Sequence, residues 1–486
     1  MRQVLDLINN FKKDEQSIDF INSQFDEPHT NKNVLFVSPQ LNGRNFYKYI
    51  MPYILLYEYD IMGTAIIGLD KFKQNNEYDF TKIPLYSKQI LWADFIVFPF
   101  SIQNLSPLYE NIRYINPEVK IVYNVDFNYY LLGKTHPLYE QFNNEESKSI
   151  LEDNIFFADL CVTTNQELSK FLAKKFEEEL NETKYRGIES NVEIATLPLL
   201  IDEDLIMENF EKVKPNIDSD SDAMPDEEEI YEEEIDELEE IDEVEVLDEV
   251  EVLDEVEVLD EFEVLDEVEE IEKEIDVKNV ENSDSIDTTN EGTETIAEEV
   301  KAIQPINVGI IASNYTWEDL NSYREQFKEV NDKLGENIIF YVIGYDGIDL
   351  KTNKNCFPSD FKFEYIKPCT IIHYFKQIHS LNLDLLFIPL RKNDFNETSE
   401  NYNKMLEASL FNVPVMVADV FPYNKLLVDG ENGIILKNKK DVVSKLNFFL
   451  ENPTELKRMG ENANKFVKEN FSYSEYTIGI FDEILS

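Results

Sequence analysis

Cysteine is scarce in this chain, with three in 486 residues. Cys161, Cys356 and Cys369 stand far apart, which excludes the paired spacings of zinc sites and redox motifs. They read as small buried thiols in a reducing compartment. The four histidines fall in no metal-ligand pattern, so no metal is expected; His29 and His136 read as loop histidines. No run of 18 apolar residues occurs, which excludes a transmembrane helix. The amino-terminal MRQVLDLINNFKKDEQ mixes charge among its apolar positions and lacks the core of a signal peptide, so the expected location is the cytoplasm. Basic charge is also short, with 44 Lys and Arg against 99 Asp and Glu. So acidic a surface repels phosphate backbones, which excludes nucleic acid as a partner.

The acidity is concentrated. Residues 218–300 hold 40 acidic residues and two lysines, a local charge of −38 that leaves −17 of the total −55 for the rest of the chain. Within this stretch DEVEVL recurs from Asp242, Asp248 and Asp254, and DEFEVL follows from Asp260. Valine and leucine every third residue drift around a helix instead of forming one face. Ordering each residue costs on the order of 1–2 kcal/mol, which sparse apolar groups among repelling acids cannot offset. Residues 212–304 are therefore expected to be a disordered insert, an expanded linker or an acidic tail that docks a basic protein partner. Ahead of everything else, residues 1–32 contain Val4, Leu5, Ile8 and Phe11 at helical spacing, an amphipathic segment expected to dock on the folded body.

On either side of the insert, short apolar runs alternate with amphipathic stretches. NVLFVSP, AIIGL, ADFIVFPF, KIVYNVD, ADLCVTT and VEIATLP read as strands before it. INVGIIAS, NIIFYVIG, DLLFIPL, VPVMVAD and NGIIL read as strands after it. Strands this continuously apolar are buried on both faces, as in a parallel sheet covered by helices. The fold class is thus α/β, with two Rossmann-like doubly wound domains at residues 33–211 and 305–486. DLNSYREQFKEVNDKL, NKMLEASLF and DVVSKLNFFLENP read as helices of the second domain. TELKRMGENANKFVKENF closes the chain as another, with Thr454 as its capping residue.

Ligands of such domains lie at the carboxyl ends of parallel strands. The loop after NVLFVS carries Asn42, Gly43 and Arg44: the glycine permits close backbone approach, and the guanidinium suits a phosphate. Asp126 follows KIVYNV. In the second domain the stretch FIPLRKNDFNETSENYNKMLEASLFNVPVMVADVFPYNKLLVDGENGIIL resembles the donor-binding domain of GT-B glycosyltransferases of the family-4 kind (group 1). The corresponding residues are Pro389-Leu390, Glu407-Ala408, Pro414-Val415, Pro422-Tyr423 and Asn432-Gly433. The terminal MGENANKFVKENFS resembles the family's last helix, which crosses back towards the first domain.

The resemblance implies sugar transfer from a nucleotide-sugar donor, with retention of anomeric configuration and without a metal or other cofactor. Glu407 would hold the ribose hydroxyls. Lys404, one turn earlier, would face the diphosphate with Asn403, Asn396, Glu400 and the free N–H groups near the helix start. Asp126 and Lys404 are the candidate catalytic groups, and Asn42, Gly43 and Arg44 would line the side of an unknown acceptor, whether glycan, lipid-linked or protein. The sequence departs from the family pattern where its first glutamate would stand. Ser399 occupies that position and Glu400 follows, placing like charge beside a diphosphate. The loop ASNYTWEDL also lacks the basic residue often found there. These departures define an alternative, a catalytically inactive GT-B scaffold that recruits partners through the insert. A nucleic-acid base glucosyltransferase shares the fold but requires a basic face that is missing. The donor reading also expects an open crevice in front of the Lys404–Glu407 helix start.

Overall fold

The computed structural model of the chain describes residues 19–21, 32–38, 45–74, 77–78, 82–180, 183–188, 192–212, 304–349, 352–369, 371–473 and 484. The amino-terminal amphipathic segment, His29, the loop residues Asn42, Gly43 and Arg44, and positions 213–303 of the acidic insert lie outside them.

Each apolar run named above is a strand. In the first lobe these are β1 (Asp19–Ile21), β2 (Asn33–Ser38), β3 (Gly63–Gly68), β4 (Phe95–Phe98), β5 (Lys120–Val125), β6 (Leu160–Thr163) and β7 (Glu193–Thr196). They order as β1-β3-β2-β4-β5-β6-β7, parallel throughout except that β1 runs antiparallel along β3. The second lobe holds β8 (Ile306–Ile311), β9 (Ile338–Ile343), β10 (Glu364–Ile366), β11 (Leu385–Ile388), β12 (Val415–Ala418) and β13 (Ile434–Leu436). Its order is β10-β9-β8-β11-β12-β13 with every pair parallel, which is the Rossmann order 3-2-1-4-5-6. The short strands β1 and β10 were not legible as apolar runs.

The helices that matter for the site are α1 (Met51–Glu58), α2 (Gln166–Lys174), α3 (Arg324–Leu334), α4 (Asp394–Ser399), α5 (Asn403–Leu410) and α6 (Pro453–Asn470). A π-helical turn, Phe46–Ile50, leads into α1. The helix expected over DLNSYREQFKEVNDKL breaks at Ser322 and Tyr323 before α3 begins. Thr454 is not a cap: Pro453 is the first helical residue, and Asn452 flanks it without a side-chain cap bond.

Alternate residues of each strand point to opposite faces, and this sorts the apolar side chains into three layers. Leu35 and Val37 of β2 enter the outer core of the first lobe, while Val308 and Ile310 of β8 enter the outer core of the second. Val34 and Phe36 enter a middle core that also takes in Leu386 and Ile388 of β11, Met405 and Leu406 of α5, and Val467 of α6. This middle core is shared by both lobes, which form one compact unit. Gly460 shows how closely α6 approaches: a Cβ there would stand 1.8 Å from the Asn412 carbonyl oxygen.

Candidate donor site at the lobe seam

In the Rossmann order the strand sequence reverses at β8, so the crevice of the second lobe opens at the ends of β8 and β11. There Arg391 is pinned in place. Its backbone N–H and its Nε each donate to Asp319 Oδ1 at 2.9 Å, and its Nη2 lies 2.5 Å from Glu318 Oε2. Asn396, one of the candidate donor residues, is buried and turns inward. Its amide donates to Asp319 Oδ1 at 3.0 Å and to the Arg391 carbonyl at 2.9 Å. It belongs to the frame that fixes the loop before α4.

Glu407 lies on the buried face of α5 and is 3% exposed. A carboxylate removed from water must find donors, and three converge on it. The phenols of Tyr47 and Tyr374 donate to Oε1 at 2.8 Å and Oε2 at 2.6 Å, and the Asn403 amide donates to Oε1 at 3.0 Å. Burial raises the Glu407 carboxyl above its ordinary pKa, while the Tyr374, Tyr47 and Asn403 hydrogen bonds and the Lys404 charge pull it back. The same surroundings push both phenols far up, by burial first and then by the Glu407 charge. Both therefore remain donors.

Tyr47 belongs to the first lobe and Glu407 to the second. Here the lobes touch. The seam continues on both sides of this contact. Ser399 Oγ accepts from the Asn128 backbone N–H at 3.0 Å, and the Asn128 amide reaches Thr398 Oγ1 at 3.1 Å. Asn165 caps α2 through Oδ1, which accepts from Glu167 N and Leu168 N. Its Nδ2 donates across the seam to the carbonyls of Glu397 at 3.2 Å and Glu400 at 2.8 Å. Tyr402, flanking α5, accepts from Leu199 N at 2.8 Å. His136 is also a seam residue, not an incidental loop histidine. It stacks on Tyr315 of the second lobe with centroids 5.6 Å apart and meets Phe395 edge-on.

The helix start is partly satisfied by the protein itself, since Asn403 N donates to Asn401 Oδ1 at 3.2 Å. Lys404 is half-buried. Its charge lowers the carboxyl pKa of both Glu400 and Glu407, yet among the described residues no acid lies within ion-pair distance of its ammonium. Burial pushes the half-buried Glu400 up to about 7; Lys404 works against that shift and the Asp319 charge adds to it.

On the first lobe, Asp126 follows β5 and is ion-paired with Lys48, at side-chain exposures of 12% and 7%. Tyr47 and Lys48 are neighbours on the π-helical turn, so one turn reaches the second-lobe Glu407 and the first-lobe Asp126 together. Neither was singled out from sequence. The available signal was a lone lysine inside the apolar run FYKYIMPYILL, since a charge buried there requires a partner. Tyr374 gave no comparable signal. Among the described residues no cluster of three His, Cys, Asp or Glu is placed to hold a metal ion, and no helix is long and apolar enough to cross a membrane.

Residues 381–478 match the family described as glycosyl transferase-like. No curated protein matches the sequence. Among solved structures, the chain is similar to HepE from Anabaena in complex with UDP and glucose, at 11% identity and a TM-score of 0.46 over 93% of this chain and 98% of that one. It is similar to sucrose-phosphate synthase from Thermosynechococcus elongatus at 9% identity and a TM-score of 0.46, over 93% and 98% of the two chains. A glycosyltransferase from Rickettsia africae gives 11% and 0.46 over 94% and 99%. The chain's own strand order gives two Rossmann-like lobes, and the glycosyl transferase-like match lies in the lobe that carries Lys404 and Glu407.

Proposed function

We propose that the chain transfers a sugar from a nucleotide-sugar donor to an acceptor held by the first lobe, with retention of configuration and without a metal. The observation that carries this reading is the combination on α5 of the buried Glu407 carboxylate with Lys404 one turn away, a cation with no acid within ion-pair distance among the described residues. Glu407 presents an acceptor to ribose hydroxyls, and Lys404 offsets charge on the diphosphate as it leaves. Glu400, poised near 7, takes a proton as the diphosphate approaches and then donates a hydrogen bond to it. This removes the like-charge conflict that its position suggests. In the retaining scheme a donor phosphate oxygen accepts the proton of the acceptor hydroxyl, so no protein base is required. Asp126, held by Lys48, faces the acceptor side.

The test is hydrolysis of UDP-, GDP- and ADP-glucose in the absence of acceptor. Slow release of one nucleoside diphosphate, lost in Glu407→Ala, is the expected result. A second reading, the inactive scaffold, is favoured by two observations. Both oxygens of Glu407 already have protein donors, and Ser399, where the family pattern places a glutamate, bonds across the seam. Absence of hydrolysis and of calorimetric binding with all three donors would establish that reading instead.

A further inference from the structure

We infer that Tyr47 gates the donor site: its phenol holds the Glu407 oxygen that a ribose hydroxyl needs, so a nucleotide enters only when the first lobe withdraws. The inference rests on the donor reading above and adds its regulation. Glu407 Oε1 accepts two protein hydrogen bonds, one from Tyr47 and one from Asn403, and Oε2 accepts one from Tyr374. Asn403 lies on the same helix as Glu407, and Tyr374 lies in the same lobe, so both can stay in place when a ligand binds. Tyr47 alone arrives from the other lobe. A carboxylate offers about four acceptor positions; with three filled by protein donors, two hydroxyls need one more to be vacated, and the one that lobe movement can vacate is the one that Tyr47 fills.

The seam is built to keep Tyr47 there. Phe46 packs towards Phe375 of the second lobe with centroids 6.2 Å apart, and Lys48 ties the following residue to Asp126. Asn128 and Asn165 hold the end of α4 against the first lobe. Ser399 takes part in that closure, which accounts for its presence at the position where the family pattern has a glutamate. A π-helical turn in front of a regular helix is a common marker of functional positions, and here it presents Tyr47 and Lys48 in opposite roles on consecutive residues.

Competition between ligand and gate fixes the sign of the test. Only a fraction of molecules has the seam open, and apparent affinity falls in proportion to that fraction. Tyr47→Phe keeps the ring and removes one hydrogen bond to a charged group, which raises nucleotide affinity by roughly tenfold. Ser399→Ala removes a seam bond away from Glu407 and raises affinity in the same direction by about two- to threefold. Calorimetric titration of wild type and both variants with UDP, GDP and ADP reads both effects. If wild type binds and Glu407→Ala does not, but Tyr47→Phe binds equally or more weakly, Tyr47 positions Glu407 for the ligand. The gate is then overturned while the donor reading stands. If a misfolded Tyr47 variant gives no data, the Ser399→Ala result decides alone, and unchanged or weaker binding overturns the gate. If none of the proteins binds any nucleotide, both inferences fall.

Discussion

Both lobes are built on a parallel sheet, yet the segments after β2 and β8 have opposite characters. After β8 the chain passes through a short helix, Trp317–Asn321, into α3, whose Phe327, Val330 and Leu334 are buried while Glu325 and Lys333 face water. It is an ordinary surface layer. After β2 come the π-helical turn and α1, in which Phe46, Tyr47, Tyr49, Ile50, Met51, Tyr53, Ile54, Leu55 and Leu56 are all buried. A helix apolar all round must be covered on every side, and this one is covered by its own sheet and by the second lobe. The same strand-to-helix step thus supplies a solvated helix in one lobe and an interlobe wedge in the other. The wedge is where the polar exceptions Tyr47 and Lys48 reach the two carboxylates of the candidate site.

Removing one partner from the wedge's ion pair is the most damaging way to probe this contrast. Lys48→Met removes the ammonium that pairs with the nearly buried Asp126 and is expected to lower stability by about 3–5 kcal/mol. Lys48→Met/Asp126→Asn should recover most of that loss in urea denaturation. Leu56 is 0% exposed in the wedge, and Leu56→Ala is expected to cost about 2–5 kcal/mol. A loss under 1 kcal/mol would mean that the middle core tolerates a void.

Glu400 gives a smaller, pH-dependent effect. Burial pushes its carboxyl up to about 7 from an ordinary 4.5, so the folded state binds the extra proton between these values. Stability contributed by this group therefore falls as pH rises from about 4.5 to about 7. Glu400→Gln should gain on wild type by about 1–3 kcal/mol across that window and stay level above it. A difference independent of pH would contradict the shift. Smallest of all, Lys333→Ala breaks the exposed pair with Glu329 on α3 and should change stability by under about 0.5 kcal/mol. A larger loss would erase the distinction between the two helices.

Most of the fold was legible because buried parallel strands are continuous apolar runs, and eleven such runs in the right order imply two doubly wound lobes. The exceptions are instructive. β10 has only three residues, two of them exposed, so no run betrayed it. The site was legible only along the chain: Asn403, Lys404 and Glu407 share one helix and follow a family pattern. Tyr47 lies 360 positions from Glu407, and no local spacing records a contact of that kind. The motif positions around them proved largely architectural. Asn432 accepts from Val428 N at 2.7 Å, and a Cβ on Gly433 would crowd Leu427 and the Val415 carbonyl.

Nucleotide binding by Glu407 underlies the entire functional account, and a calorimetric titration of wild type and Glu407→Ala with UDP-, GDP- and ADP-glucose tests it directly. One donor should bind wild type and lose at least about a hundredfold in affinity in the variant, as expected when a charged acceptor of two hydroxyls is removed. Equal binding by both proteins, or none by wild type, would contradict it.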